Sequence, residues 1–152
     1  MGGTFAHFCQ RLGIQQAAQK ILPSPFNYAE QSLLCVPRYL PATNHSGTFT
    51  QLGKMLLPII EANQGRCFVL CTLYVMMRSL ADYFRENSEL TILLQGETAK
   101  TTLLEQFISQ SHSVLVATSS FWEGVDVRGD ALSLVIIDKL PFTAPNEPLR
   151  NC

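Results

Sequence analysis

Arg66-Cys-Phe-Val-Leu-Cys-Thr72 is an apolar run of strand length, and the period changes immediately after it: Leu73, Met76, Met77, Leu80 and Phe84 step at i, i+3, i+4, i+7 and i+11. That is a buried strand followed by an amphipathic helix. The pattern repeats outward. Leu90-Thr-Ile-Leu-Leu-Gln95 predicts a second strand, Leu103, Leu104, Phe107 and Ile108 a second helix face, and Ser113-Val-Leu-Val-Ala-Thr118 a third strand. After a loop, Leu132-Ser-Leu-Val-Ile-Ile-Asp138 predicts a fourth. Apolar strands alternating with amphipathic helices are the signature of βαβ units, so the expected class is α/β, a parallel sheet flanked by helices.

Upstream of residue 66 the signals are shorter. Thr4 to Gly13 reads as a helix with Thr4 as cap, Phe5, Phe8 and Leu12 on one face and Gly13 as the stop. The prolines of Leu22-Pro-Ser-Pro-Phe-Asn-Tyr28 forbid a regular helix, and Leu33-Leu-Cys-Val-Pro37 predicts a brief strand. From Thr50, the residues Leu52, Met55, Leu56, Ile59 and Ile60 recur at helical spacing, with Pro58 expected to kink or break the helix.

The chain has 152 residues, with 11 Lys and Arg against 12 Asp and Glu. A net charge of −1 excludes a strongly basic nucleic-acid binder or a polycationic membrane binder as a description of the whole chain. No apolar run approaches the roughly 20 residues of a membrane span, and Met1-Gly-Gly-Thr-Phe-Ala6 lacks the basic-then-apolar pattern of a secretory signal. The expectation is a cytoplasmic protein with no membrane partner. Five cysteines at irregular spacing argue against a disulfide framework; Cys67 and Cys71, on one face of a strand and too far apart for one metal ion, read as buried free thiols.

Ligands of open α/β sheets bind beyond the carboxyl ends of the strands. The residues there are Thr72, Gly96-Glu97, Thr118-Ser-Ser120 with the loop to Gly129, and Asp138-Lys139. The third group, Thr118-Ser-Ser-Phe-Trp-Glu-Gly-Val-Asp-Val-Arg-Gly-Asp130, gathers hydroxyls, carboxylates, an Arg, two glycines and the only Trp. Hydroxyls and backbone N–H groups can cradle a phosphate, and a nearby carboxylate can accept from a ribose hydroxyl. The same residues equally describe a polar turn capping a helix, with Trp122 filling core.

Other site types find little support. The nearest approach to a phosphate-binding loop, Gly47 to Gly53-Lys54, has the wrong spacing and Met55 where a hydroxyl must reach magnesium. Leu134-Val-Ile-Ile-Asp138 resembles the strand and Asp of a magnesium site but reads as a plain strand end without that loop. His7, His45 and His112 are scattered, with neither a zinc-hydrolase nor a serine-hydrolase motif around them.

From Ser113 through the segment Phe121-Trp-Glu-Gly-Val-Asp126 and Gly129-Asp130 to Asp138-Lys-Leu-Pro-Phe142, the chain closely resembles the DinG-type, XPD-like ATP-dependent DNA helicases of superfamily 2. Phe68-Val-Leu-Cys-Thr-Leu-Tyr74 resembles the strand of their motif IV, and Leu94-Gln-Gly-Glu97 the segment preceding motif V. The resemblance implies part of the second motor domain: residues 1–65 as a lead-in, and 66–152 as an incomplete RecA-like helicase C-terminal domain of the P-loop NTPase type. It implies that Thr118 and Ser119, and with them Thr72, contact nucleic-acid phosphates, and that Glu123, Gly124 and Asp126 lie at the ATP side of the cleft between motor domains.

The implied partners are single-stranded DNA and the first motor domain, and the implied cofactors ATP and magnesium. The family's phosphate loop, magnesium motif and iron–sulfur cysteines belong to that first domain and are not encoded in these residues. Motif VI, expected after the last strand, is also missing before Cys152. Phosphoryl transfer needs these parts together, so the expectation is a helicase fragment inactive alone. Two alternatives are a non-catalytic module that binds nucleic acid or a partner, and a decayed, truncated gene product.

Overall fold

The computed structural model describes residues 5–15, 18, 20–40, 47–122, 124–127 and 129–139, with only the backbone described for His7, Ser119 and Trp122. The chain divides into two compact units, Met1–Arg38 and Tyr39–Cys152.

In the first unit, α1 spans Ala6–Leu12 with Phe5 at the cap position and ends on Gly13 in the left-handed region, where the Ile14 N–H returns to the Cys9 carbonyl at 2.9 Å. The expected cap, Thr4, lies outside the described residues. A single turn, α2 (Tyr28–Gln31), follows the prolines. The strand predicted over residues 33–37 does not form: this stretch has no ladder partner among the described residues, and Leu33 and Leu34 are each 87% exposed. An extended segment with a terminal proline cannot become a strand without a neighbour to pair with.

The second unit begins with α3 (Thr48–Ala62), which runs through Pro58 for a further turn instead of breaking there. Its buried residues are Thr48, Gly53, Leu57 and Ile60, with Phe49, Leu52 and Leu56 partly buried beside them; Met55 and Ile59, expected in the core, are exposed. The helix presents the 49, 52, 53, 56, 57, 60 stripe, so 55 and 59 fall on its outer edge. α3 packs against α4, where the Tyr83 ring occupies the space a Cβ on Gly53 would need.

The sheet comprises β1 (Cys67–Cys71), β2 (Thr91–Leu94), β3 (Ser113–Thr118) and β4 (Leu134–Ile137), all parallel, in the order β2-β3-β1-β4. α4 (Tyr74–Asn87) joins β1 to β2, and α5 (Lys100–Ser109) joins β2 to β3. The predicted α/β class, with a parallel sheet flanked by helices, is what forms.

Strand alternation sorts the core into two layers. Cys67, Val69, Cys71, Ile92, Leu94, Val114 and Val116 face α3 and α4, meeting Met76, Met77, Leu80, Ala81 and Phe84. Phe68, Leu70, Leu93, Leu115 and Ala117 face the other way and meet Leu103 and Phe107 of α5 together with Phe121. Leu73 and Ile108, both predicted inside, are 55% and 54% exposed. Leu73 stands at the N-cap of α4, before the helical stripe begins, and Ile108 sits at the rim of α5.

Cys67 and Cys71 are buried free thiols in the first layer, as their spacing suggested. Burial raises both above the ordinary thiol range; Cys71, which also feels the Asp138 carboxylate, is pushed up to about 12. Their stabilising contribution is therefore fully present below pH 9.0, the ordinary thiol value, and lost as pH climbs above it toward and beyond 12. A thiol-reactive dye at about pH 8 should label exposed Cys35 quickly and reach Cys67 and Cys71 only when the unit unfolds. Equal labelling of all three in native buffer would contradict this packing.

Candidate nucleic-acid interface

Parallel strands point every carboxyl end the same way, so the residues that follow them share one rim. At the centre is Thr118, the last residue of β3 and only 6% exposed. Its backbone N–H donates to Gln95 Oε1 at 2.7 Å, its hydroxyl lies 2.9 Å from the same oxygen, and Ser120 Oγ lies 2.9 Å from the hydroxyl. Gln95 follows β2, which is hydrogen-bonded to β3, and its backbone N–H donates to Val116 O at 3.0 Å.

Across β1 the second polar pair forms. Thr72 donates its hydroxyl to Asp138 Oδ2 at 2.6 Å and its backbone N–H to the same oxygen at 3.4 Å, while the Asp138 N–H donates to Leu70 O at 3.0 Å. Asp138 is a strand-end residue, as read from the sequence, and it accepts the hydrogen bond of the hydroxyl expected to meet a phosphate. Beyond Gln95, Glu97 accepts from Arg85 at 2.7 Å, and this bond holds its carboxyl below the usual range.

Beyond Ser120 the loop after β3 leaves this rim. Ser119–Trp122 and Gly129–Ala131 are short 3-10 turns, and Val125, Val127 and Leu132 lie against the α5-side core layer. Asp126 is exposed and, with Val125, Val127, Leu132, Phe68 and Val135, lines a hollow of about 220 Å³. Phe68 and Val135 are register partners one residue in from the amino ends of β1 and β4, so Asp126 stands beside the sheet's face and apart from the carboxyl ends of the strands. Gly124 is exposed with a φ of 72°. Glu123 lies outside the described residues, and of Ser119 only the backbone is described.

Over residues 56–152 the chain matches the family described as helicase C-terminal domain. It belongs to that family. Among relatives of this helicase C-terminal domain, the ATP-dependent DNA helicase YoaA of Haemophilus influenzae is 78% identical over 149 residues, 98% of this chain and 23% of that protein. The protein of the same name in Escherichia coli K12 is 65% identical over 143 residues, 94% of this chain and 22% of that protein. The ATP-dependent helicase DinG of Mycobacterium tuberculosis is 37% identical over 128 residues, 83% of this chain and 19% of that protein. The chain thus spans less than a quarter of the length of these relatives.

The helicase C-terminal domain contains, among its described residues, no group of three His, Cys, Asp or Glu side chains able to hold a metal ion. Its described residues therefore offer no ready-made magnesium site. No described helix is long and apolar enough to cross a membrane. Gln95 is the residue of the rim that the sequence patterns did not single out as a site residue: it stands at the end of the predicted second strand and within Leu94-Gln-Gly-Glu97. Its position one residue past a strand was the available signal.

Proposed function

We propose that this chain is part of the second motor domain of an ATP-dependent DNA helicase, with residues 1–65 leading into it. The strand-end rim meets the backbone of single-stranded DNA, and the crossover after β3 meets ATP when the first motor domain closes over it. One observation carries the reading: in a chain of the helicase C-terminal family, the side chains that follow all four strands form a hydrogen-bonded polar rim, Gln95–Thr118–Ser120 and Thr72–Asp138. On this reading Thr72, Thr118 and Ser119 belong to the nucleic-acid face, and Glu123, Gly124 and Asp126 to the nucleotide side.

The reading assigns ATP turnover to the assembled motor. A phosphate loop, magnesium ligands and an arginine act together in phosphoryl transfer, and these 152 residues supply no phosphate loop. The chain alone should hydrolyse no ATP in a phosphate-release assay and should bind single-stranded DNA weakly, with affinity falling steeply as salt rises. ATP turnover lost on changing Glu123 or Asp126 would overturn the fragment reading. Submicromolar binding at physiological salt, lost in Thr118→Ala, would favour an independent binding module.

A further inference from the structure

The amide of Gln95 has a determined orientation. A backbone N–H can only donate, so the Gln95 atom facing the Thr118 N–H at 2.7 Å is the carbonyl oxygen. That oxygen has no proton, yet the Thr118 hydroxyl oxygen stands 2.9 Å from it. Two oxygens at that separation attract only with a proton between them, so the Thr118 hydroxyl donates to Gln95. Its one proton is then committed, and the 2.9 Å contact with Ser120 is a bond donated by the Ser120 hydroxyl. Both hydroxyl protons therefore run inward, from Ser120 to Thr118 to Gln95.

A phosphate oxygen accepts and cannot donate, so it needs a free N–H or O–H. Thr118 has no free hydroxyl proton, and Thr72 has given its own to Asp138. The Gln95 Nε2 amino group, by contrast, meets no acceptor among the described residues, and Gln95 is only partly buried. No described polar side-chain atom is both buried and unpartnered, so Nε2 opens to solvent at the rim. Gly96 beside it has open space where a side chain would stand, and the Glu97 carboxylate is already engaged by Arg85.

We propose that Gln95 is the phosphate-binding residue of this face, donating from Nε2 to a backbone phosphate of single-stranded nucleic acid, with Thr118 and Ser120 as positioning residues that aim it. The proposal rests on the nucleic-acid reading above and moves the donor from Thr118 to Gln95. An amide already held by two bonds loses little freedom when it binds.

The test is fluorescence anisotropy of the 152-residue chain with labelled oligo-dT and oligo-dA of equal length at low salt. Gln95→Ala should weaken binding about tenfold on both strands, the scale of a hydrogen bond to a charged group. Thr118→Val should cost less than about threefold, because the backbone N–H still fixes Oε1. Gln95→Glu retains the oxygen that Thr118 bonds, so it should melt with the wild type while binding at least about tenfold more weakly. Thr118→Val costing more than Gln95→Ala, wild-type binding by Gln95→Glu, or a loss confined to one base would each overturn the proposal while the face reading stands. Absence of any salt-sensitive binding by the wild-type chain would overturn both.

Discussion

A Gly65→Ala chain should lose about 2 to 5 kcal/mol of stability, a large part of the 5 to 15 kcal/mol typical of a domain. Gly65 has a φ of 72°, where a side chain costs about 1 to 2 kcal/mol. The added Cβ would also stand 2.7 Å from the carbonyl carbon of His112 and 3.0 Å from the His112 and Ser113 oxygens. These are backbone atoms leading into β3, so relief requires the entry to β1 to move away from the strand it pairs with. The turn is already tied down on both sides: Asn63 Nδ2 donates to Gly65 O at 2.6 Å, and the Ser133 and Leu134 N–H groups donate to Arg66 O. Urea unfolding followed by far-ultraviolet circular dichroism measures the loss. Gln64→Gly is the matched control, since Gln64 also has a positive φ, of 57°, and glycine should be neutral or slightly stabilising there. A wild-type midpoint for Gly65→Ala would show that this turn is not as rigid as its contacts indicate.

Phe107→Ala should cost about 4 kcal/mol and loosen α5 in particular. Leu103 and Phe107 are the two buried residues of that helix, and the Phe107 ring sits 4.7 Å from the Phe68 ring at a 56° tilt. Truncation leaves a cavity on the sheet face and removes an aromatic pair worth up to about 1.5 kcal/mol beyond its area. The Ser113 hydroxyl, which donates to Phe107 O at 3.1 Å, ties the end of α5 to the start of β3. Hydrogen exchange should therefore show α5 amides opening well before those of β1 and β3, while Phe107→Leu restores most of the protection. Uniform exchange across the unit in Phe107→Ala would mean that α5 is not separately anchored.

The two layers that these substitutions probe were largely legible in the residues. Val69 and Phe68 differ by one position and go to opposite faces, and period-2 alternation carries that information locally. On α4 the helical period does the same for Met76, Met77, Leu80 and Phe84. The reading failed at element ends and edges, for reasons that periodicity does not contain. Leu73 sits in the cap and not in the helix, Met55 and Ile59 lie on the outer edge of α3, and Leu33 to Pro37 has a strand's composition but forms no ladder among the described residues.

The rim divides the same way. Which residues follow each strand is a one-dimensional fact, so Thr72, Thr118 and Asp138 could be picked out from the chain alone, and the helicase motif around residues 113–138 could be recognised there. The partner of each hydroxyl depends on the strand order β2-β3-β1-β4, which brings Gln95 to Thr118 across 23 positions and Thr72 to Asp138 across 66. By itself the sequence determined the elements, their class and the end of the sheet where polar groups collect, because those follow from local period and chain direction. Only the tertiary structure decided where the hydroxyl protons point, because hydrogen-bond direction depends on which acceptor folding brings within 3 Å.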